Sequence, residues 1–301
     1  MSASPPRPSR SGPSSALAVS PTEIAEARAR LPEAFRAPLS RRLVRLGGWL
    51  AFAGLFAWCL YDFDASPERL WNGLLRLGKV LSFMFPPHIW TSWKEISEIL
   101  TGLAQTLSMA FLGSLLGALI AFPLSFLGAR NINRIPFLRF GVRRGFDIIR
   151  AFETLILALI FIRAFGLGPL AGVLAIAVGE IGVLAKLYAE AIENTSKKPV
   201  EGVVASGGSP LQSIRFGILP QVLPVLLSIT LYNFESNVRS GTILGIVGAG
   251  GIGFLLSDRI GAYRWDEAWS IIFLIIAMVY VIDALSDYIR TRFIGHYDGT
   301  R

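Results

Sequence analysis

The sequence predicts an all-α polytopic membrane protein with about six transmembrane helices and one structured polar loop. Three observations carry that expectation. The chain of 301 residues is 52% hydrophobic and only 17% charged, with a mean hydropathy of +0.53. Several of its apolar runs approach the ~20 residues that an α-helix needs to cross a bilayer. Its basic residues cluster beside those runs, so the formal charge of +8 reads as a topology signal rather than a nucleic-acid surface. The single cysteine, Cys59, lies in an apolar run, which excludes an intrachain disulfide and a Cys-based metal site.

Residues 1–40 hold Pro5, Pro6, Pro8, Pro13, Pro21, Pro32 and Pro38 among Ser, Ala and Arg, and read as a largely disordered basic N-terminal tail. Because 42 residues precede the first apolar run and no small-residue cleavage site follows it, that run is expected to stay as a membrane anchor. Residues 41–63 form this additional N-terminal transmembrane helix, with the span at Leu43–Asp62 and Trp58, Tyr61 and Phe63 marking an interface. Residues 64–102 carry mixed charge with Pro86, Pro87, Trp90 and Trp93, and read as an external interfacial segment of short helices.

The core of the protein is expected at residues 103–290, followed by a tail at 291–301. Its first span, 103–128, contains Gly113 and Gly117 as a small-xxx-small pair suited to close helix packing. The next, 145–165, is interrupted by Asp147, Arg150 and Glu153, and the following one, 167–192, carries Glu180 and Lys186. A further span starts near Gly217 and runs to about Asn233, and the last covers 269–288. Residues 241–256 are apolar but hold six glycines, so a seventh helix and a broken, partly inserted segment are both open. With six spans and an internal N-terminus, 19 Lys/Arg fall inside and eight outside; seven spans give 18 and nine. Both counts favour an internal N-terminus and barely separate six spans from seven; with six, both termini are expected in the cytoplasm.

Between the spans, residues 196–221 form a Gly- and Pro-punctuated cytoplasmic loop. Pro199 suits the first turn of a helix through Glu201 to Ala205, and Gly207 with Gly208 ends it. Ser209 caps a second short helix with Pro210 at its first position, to which Leu211, Ile214 and Phe216 give an apolar side. Helix, sharp turn and helix make a small knob able to enter a partner's groove. The chain has no Gly-x4-Gly-Lys-Ser/Thr phosphate loop, so any ATP chemistry belongs to a partner.

Glu201, Gly207, Leu219 and Pro220 stand at the spacing of the cytoplasmic docking loop of ABC importer permeases, which this segment resembles; Gly202, Val203 and Gly217 depart from the usual residues. The resemblance extends over about 85–295. It takes in Phe122-Pro123-Leu124, Ala129-Arg130-Asn131, Gly166 to Gly172, Phe234-Glu235-Ser236-Asn237-Val238-Arg239-Ser240, and Val247-Gly248-Ala249-Gly250-Gly251-Ile252-Gly253. Together these strings are similar to those of phosphonate/phosphite importer permeases, a type I ABC group with a methionine-permease-like fold.

That resemblance implies a transport subunit, not an enzyme, in a bacterial inner membrane. Its partners would be a second permease copy in a homodimer, a cytoplasmic ABC ATPase dimer holding ATP and Mg, an external substrate-binding protein and membrane lipid, with no nucleic acid. ATPase coupling would rest on Glu201, Gly207, Leu211, Ile214, Leu219 and Pro220. No cofactor, metal or catalytic residue is implied for the chain itself.

Glu235 and Arg239 are four apart, the spacing of a helical ion pair; so are Lys186 and Glu190, while Arg150 and Glu153 are three apart. The alternative sets Arg239, Asn237 and Ser240, with Glu235 beside them and Arg150, along the path of a phosphonate anion, whose oxygens fit a guanidinium fork. Gly248, Gly250, Gly251 and Gly253 would serve gating or close packing. A methionine-type importer permease shares most of these features. An ion-coupled secondary transporter would also use ionisable groups inside spans, but no internal repeat supports one.

Overall fold

The computed structural model describes residues 39–294 together with Ala29 and Arg30; the predicted N-terminal tail and the end of the C-terminal tail lie outside the described residues. The chain divides into two compact units, Met1–Leu77 and Gly78–Arg301. In the first, α1 (Leu39–Asp62) is a continuous helix whose apolar side chains, Trp49, Phe52 and Phe56 among them, are exposed. That is the pattern of a helix solvated by lipid rather than by water. The amphipathic α2 (Pro67–Ser82) sets Leu70, Leu74, Leu77 and Leu81 on one side and Glu68, Asn72, Arg76 and Lys79 on the other. It has the form expected of an interfacial helix.

The second unit is built around two long helices, α3 (Trp93–Gly128) and α6 (Pro169–Glu193). They approach closely because α3 offers glycine where α6 offers bulk. A Cβ added to Gly113 would stand 2.6 Å from the Ile176 Cβ, and one at Gly117 would collide with Glu180. The small-xxx-small pair therefore packs within the chain. Alongside α6 run α4 (Pro136–Arg150) and α5 (Thr154–Phe165). Phe146 of α4 packs in a cluster with Leu184, Ala185 and Ala189, while Leu157 and Ala158 of α5 pack with Ala175 and Ile176. The pair thus traverses the length of α6 in the opposite direction.

Past α6 come α7 (Lys197–Ala205), the single turn α8 (Pro210–Gln212) and a π-helical stretch at Ser213–Ile218 that leads without a gap into α9 (Leu219–Leu244). A second π-helical stretch, Gly245–Ala249, ends at a chain reversal before α10 (Gly251–Gly261), and α11 (Trp265–Ile294) completes the unit. Among the described residues five helices are long and apolar enough to cross a membrane, and α5 is a shorter apolar helix.

Three expectations change and one open alternative is decided. The predicted span 145–165 is not one helix, since α4 stops at Arg150 and α5 starts at Thr154. Arg150 and Glu153, both exposed, flank the interruption, so the chain leaves helical geometry where its charges leave the packed surface. Of the two readings left open for residues 241–256, the chain is broken rather than one helix: the first part prolongs α9 and the second belongs to α10. Gly248, Gly250 and Gly251 take φ of 109°, 82° and 72°, which side chains with a Cβ rarely adopt, and the helix cannot continue through them. The span expected to end near Asn233 runs on to Leu244, because Glu235, Asn237 and Arg239 all find partners on neighbouring helices. Finally, α3 starts at Trp93, ten residues inside the predicted interfacial segment that ends at 102.

Candidate functional site

The loop between α6 and α9 is held at both ends. Ser209 accepts from the Gln212 amide while the Gln212 side chain accepts from the Ser209 amide at 2.7 Å, a reciprocal cap with Pro210 in the first turn. Gly207 turns the chain with φ of 82°. Gln221 closes the base: its Nε2 donates to the Ser196 carbonyl at 3.2 Å and its Oε1 accepts from the Ser196 amide at 3.1 Å. Gly217, a departure from the family spacing, has a physical reason: an added Cβ would meet the Val200 Cα at 3.0 Å, so α7 lies directly on it. Ile214 and Leu219 pack into the core cluster around Ile218 and Val222, whereas Glu201, Gly207, Leu211 and Pro220 are exposed. Leu211 at 76% exposure and Phe216 at 59% give the loop an uncovered apolar tip on a rigid base. Only Ile214 of the three residues expected on one apolar side turns inward.

Where this end of the bundle meets α3 and α6, the Asn131 amide donates to the Ile192 carbonyl at 2.8 Å and Asn133 donates to the Leu127 carbonyl at 2.7 Å. Asn131 of the Ala129-Arg130-Asn131 string and Asn133 just after it thus reach carbonyls at the ends of α6 and α3. Arg143 adds a bridge across three helices, to the Gly128 carbonyl at 2.9 Å and to Glu193 at 2.8 Å.

At the α9–α10 reversal, two strings that are far apart in sequence meet. Gly168 donates its amide to the Gly248 carbonyl at 3.1 Å, and a Cβ on Gly250 would touch the Pro169 ring at 3.2 Å. The first amides of α10 are taken by α3: Gly251 donates to Gln105 Oε1 at 3.2 Å and Ile252 to Thr106 Oγ1 at 2.9 Å. Gly253 leaves no room for a Cβ against the Thr242 carbonyl. All four glycines therefore sit where backbone approaches backbone or neighbouring helices.

Three charges expected to pair along their own helices, Glu235, Arg239 and Lys186, pair between helices instead. Glu235 accepts from Arg290 at 2.6 Å, and Arg239 donates to Asp283 at 3.1 Å, both on α11. The expected Glu235–Arg239 pair is thereby replaced, because α11 offers each a partner across the interface. Lys186 likewise reaches Asp147 of α4 at 2.8 Å instead of Glu190. Arg150 and Glu153 form no ion pair with each other, since the helix that would have aligned them ends between them. Asn237 is buried and donates to Ser114 Oγ at 2.9 Å, with Glu180 beside it. Asn237 and Glu235 are thus buried within this chain. Arg239 remains half exposed, Ser240 partly so, and Arg150 exposed.

Residues 113–295 match the family described as binding-protein-dependent transport system inner membrane component. The chain belongs to this family. It is 36% identical over 257 residues to the phosphate-import permease protein PhnE of Mycolicibacterium smegmatis, over 85% of this chain and 48% of that relative. It therefore spans about half the length of that relative. To the phosphite transport system permease protein PtxC of Stutzerimonas stutzeri it is 34% identical over 258 residues, 82% of this chain and 91% of that one. Its fold matches the inward-facing MetNI methionine ABC transporter with a TM-score of 0.60, at 24% identity over 67% of this chain and 99% of that one. This member of the family is accordingly a multi-pass, all-helical membrane protein with the type I ABC importer permease fold.

Several structural residues of this transport-system component were not singled out from its sequence. Gln221 and Gln212 act through side chains that reach backbone a few residues away, and the capping spacing Ser209-x-x-Gln212 was a usable signal for the second. Arg143 and Asp283 gave no such signal, because their partners come from other helices. The same is true of Arg259, which contacts Glu267 at 2.9 Å and Glu98 at 3.7 Å and so ties α10 to α11 and α3.

Proposed function

We propose that this chain is the membrane-spanning permease subunit of an ATP-driven importer that carries phosphonate or a related phosphorus oxyanion into the cytoplasm by alternating access. The observation that carries the reading is the capped loop at 196–221. It has an exposed Leu211 and Glu201 on a base fixed by Gln221, and it joins α9 without a gap. A push on that tip is transmitted to the helix that holds Arg239 and the glycine reversal. Relatives named for phosphate import and phosphite transport support the cargo class.

In this reading the loop and both termini face the cytoplasm. The loop docks on an ABC ATPase dimer that holds ATP and Mg, with Glu201, Gly207, Leu211, Ile214, Leu219 and Pro220 forming or supporting the contact. A second copy of the chain completes the path as a homodimer, and an external binding protein delivers the anion and sets most of the selectivity. Arg239 and Ser240 line the path, and the glycines at 248, 250, 251 and 253 let it open and close.

The test is reconstitution in vesicles with the ATPase and binding protein from the same system. ATP-dependent uptake of methylphosphonate, phosphite or phosphate supports the reading; uptake of methionine instead would place the chain with the methionine importers. The mass of the purified assembly decides between two identical permease chains and two different ones.

A further inference from the structure

The interruption between α4 and α5 stands beside the middle of α6. At ~1.5 Å per residue, the 25-residue α6 is long enough to cross a ~30 Å hydrocarbon core, and Gly182 sits near its middle. A Cβ on Gly182 would stand 2.9 Å from the Arg150 nitrogen, and one on Gly179 would stand 3.3 Å from Thr154 Oγ1. The two ends of the break are thereby pinned to the centre of α6. On the same seam Arg143 is matched by Glu193, and Asp147 by Lys186 and Arg144. The side chains of Arg150 and Glu153 are exposed and make no hydrogen bond or close ion pair among the described residues, Arg150 acting only at longer range on Asp147 one turn before it, and Phe152 between them is 49% exposed. A charged side chain at that depth facing lipid costs about 2.5 kcal/mol or more, and non-helical backbone there is tolerated only against protein or a water-filled cavity. This surface therefore does not face lipid.

We propose that the Arg150–Glu153 break is the water-lined, cargo-contacting wall of the path at mid-membrane. Arg150 is the cation that draws the oxyanion there, and Glu153 is a further residue that keeps the contact weak enough for release. Arg239 differs in that Asp283 already matches its charge. Asp147, one turn before Arg150, and Glu153 across the break offset part of its attraction, so an anion is held without being trapped. This inference rests on the importer reading above and names the part of the fold where cargo meets the permease.

Thiol labelling in the complete assembly tests it, in a Cys59→Ser background that removes the chain's one cysteine. A charged methanethiosulfonate added from water should modify Phe152→Cys and Glu153→Cys but not Leu159→Cys on the exposed apolar side of α5. Methylphosphonate during turnover should slow the modification of Phe152→Cys, and adding Glu153→Gln should increase that protection. Arg150→Gln should lower uptake by about tenfold or more, the size of one charge-assisted hydrogen bond, with Arg150→Lys retaining part of it. Absence of modification at both positions overturns the proposal. So does wild-type uptake by Arg150→Gln, or modification that appears only after two permease chains are separated, which would make the break a contact between copies. Failure of the wild-type assembly to import any phosphorus oxyanion sinks the importer reading instead, and labelling without cargo still decides whether the wall is wet.

Discussion

Asn237 donates to Ser114 Oγ at 2.9 Å, and this single bond joins α9 to α3 deep inside the bundle. Both residues are buried, and the Glu180 carboxylate of α6 lies against the same amide. Three helices therefore meet on one small polar cluster surrounded by apolar packing. In such a setting the amide fixes the rotation of α9 more than a nonpolar contact would, since turning the helix would strand each polar group.

Asn237→Ala should leave Ser114 and Glu180 with fewer partners and destabilise the folded chain by ~1–3 kcal/mol. The measurement is the thermal midpoint of the purified protein in detergent. If Ser114→Ala added to Asn237→Ala lowers the midpoint by the full sum of the two single effects, the residues do not act together.

Gly117→Val should abolish accumulation of folded protein. The added side chain has no room against Glu180 on α6, and overpacking a helix contact costs ~1–3 kcal/mol or more. Gly141→Val in α4, where a Cβ meets nothing within 4 Å, is the control and should fold. Membrane abundance and elution as a single species separate the two outcomes.

Asp147→Lys and Lys186→Asp should each reduce folded protein, while the double exchange should recover much of it, because the pair spans α4 and α6 at 2.8 Å. Arg144 also faces Asp147 at 3.2 Å, so recovery in the exchanged protein should be incomplete. Equal losses in the single and double variants would show that the bridge contributes nothing.

Glu201→Lys and Gly207→Val should leave folded permease in the membrane yet break the link between ATP hydrolysis and uptake. Gly207 has φ of 82°, and a β-branched residue there carries a backbone strain of ~1–2 kcal/mol that reshapes the turn next to the loop tip. Basal ATPase with lost uptake is the expected reading in reconstituted vesicles, and normal uptake by both variants would remove the loop from the coupling role.

Much of the loop was legible residue by residue. Pro199, Gly207, Ser209 and Pro210 obey rules that act over three or four residues, and the structure places a helix, a turn and a capped turn at those positions. Gly217 was not legible, because the reason for it is the backbone of α7 lying against α9's entrance. The ionic pairings failed in the opposite way. Helical spacing proposed Glu235 with Arg239 and Lys186 with Glu190, but an adjacent helix presented Arg290, Asp283 and Asp147 at shorter reach.

By itself, the sequence determined that this chain crosses a membrane several times as α-helices, where it turns, and which family it joins. Apolar run length, prolines, glycines and caps are local quantities and do not depend on neighbours. Only the tertiary structure decided that α4 and α5 are two separate helices packed along α6, that α9 extends to the glycine reversal, and which charges pair across helices. Those outcomes depend on where a second helix stands: the break is held by Gly179 and Gly182 on α6, and Arg239 forms its close ion pair with Asp283 of α11. In an apolar surrounding a charge is defined by its nearest partner, and that partner is chosen by packing, not by position along the chain.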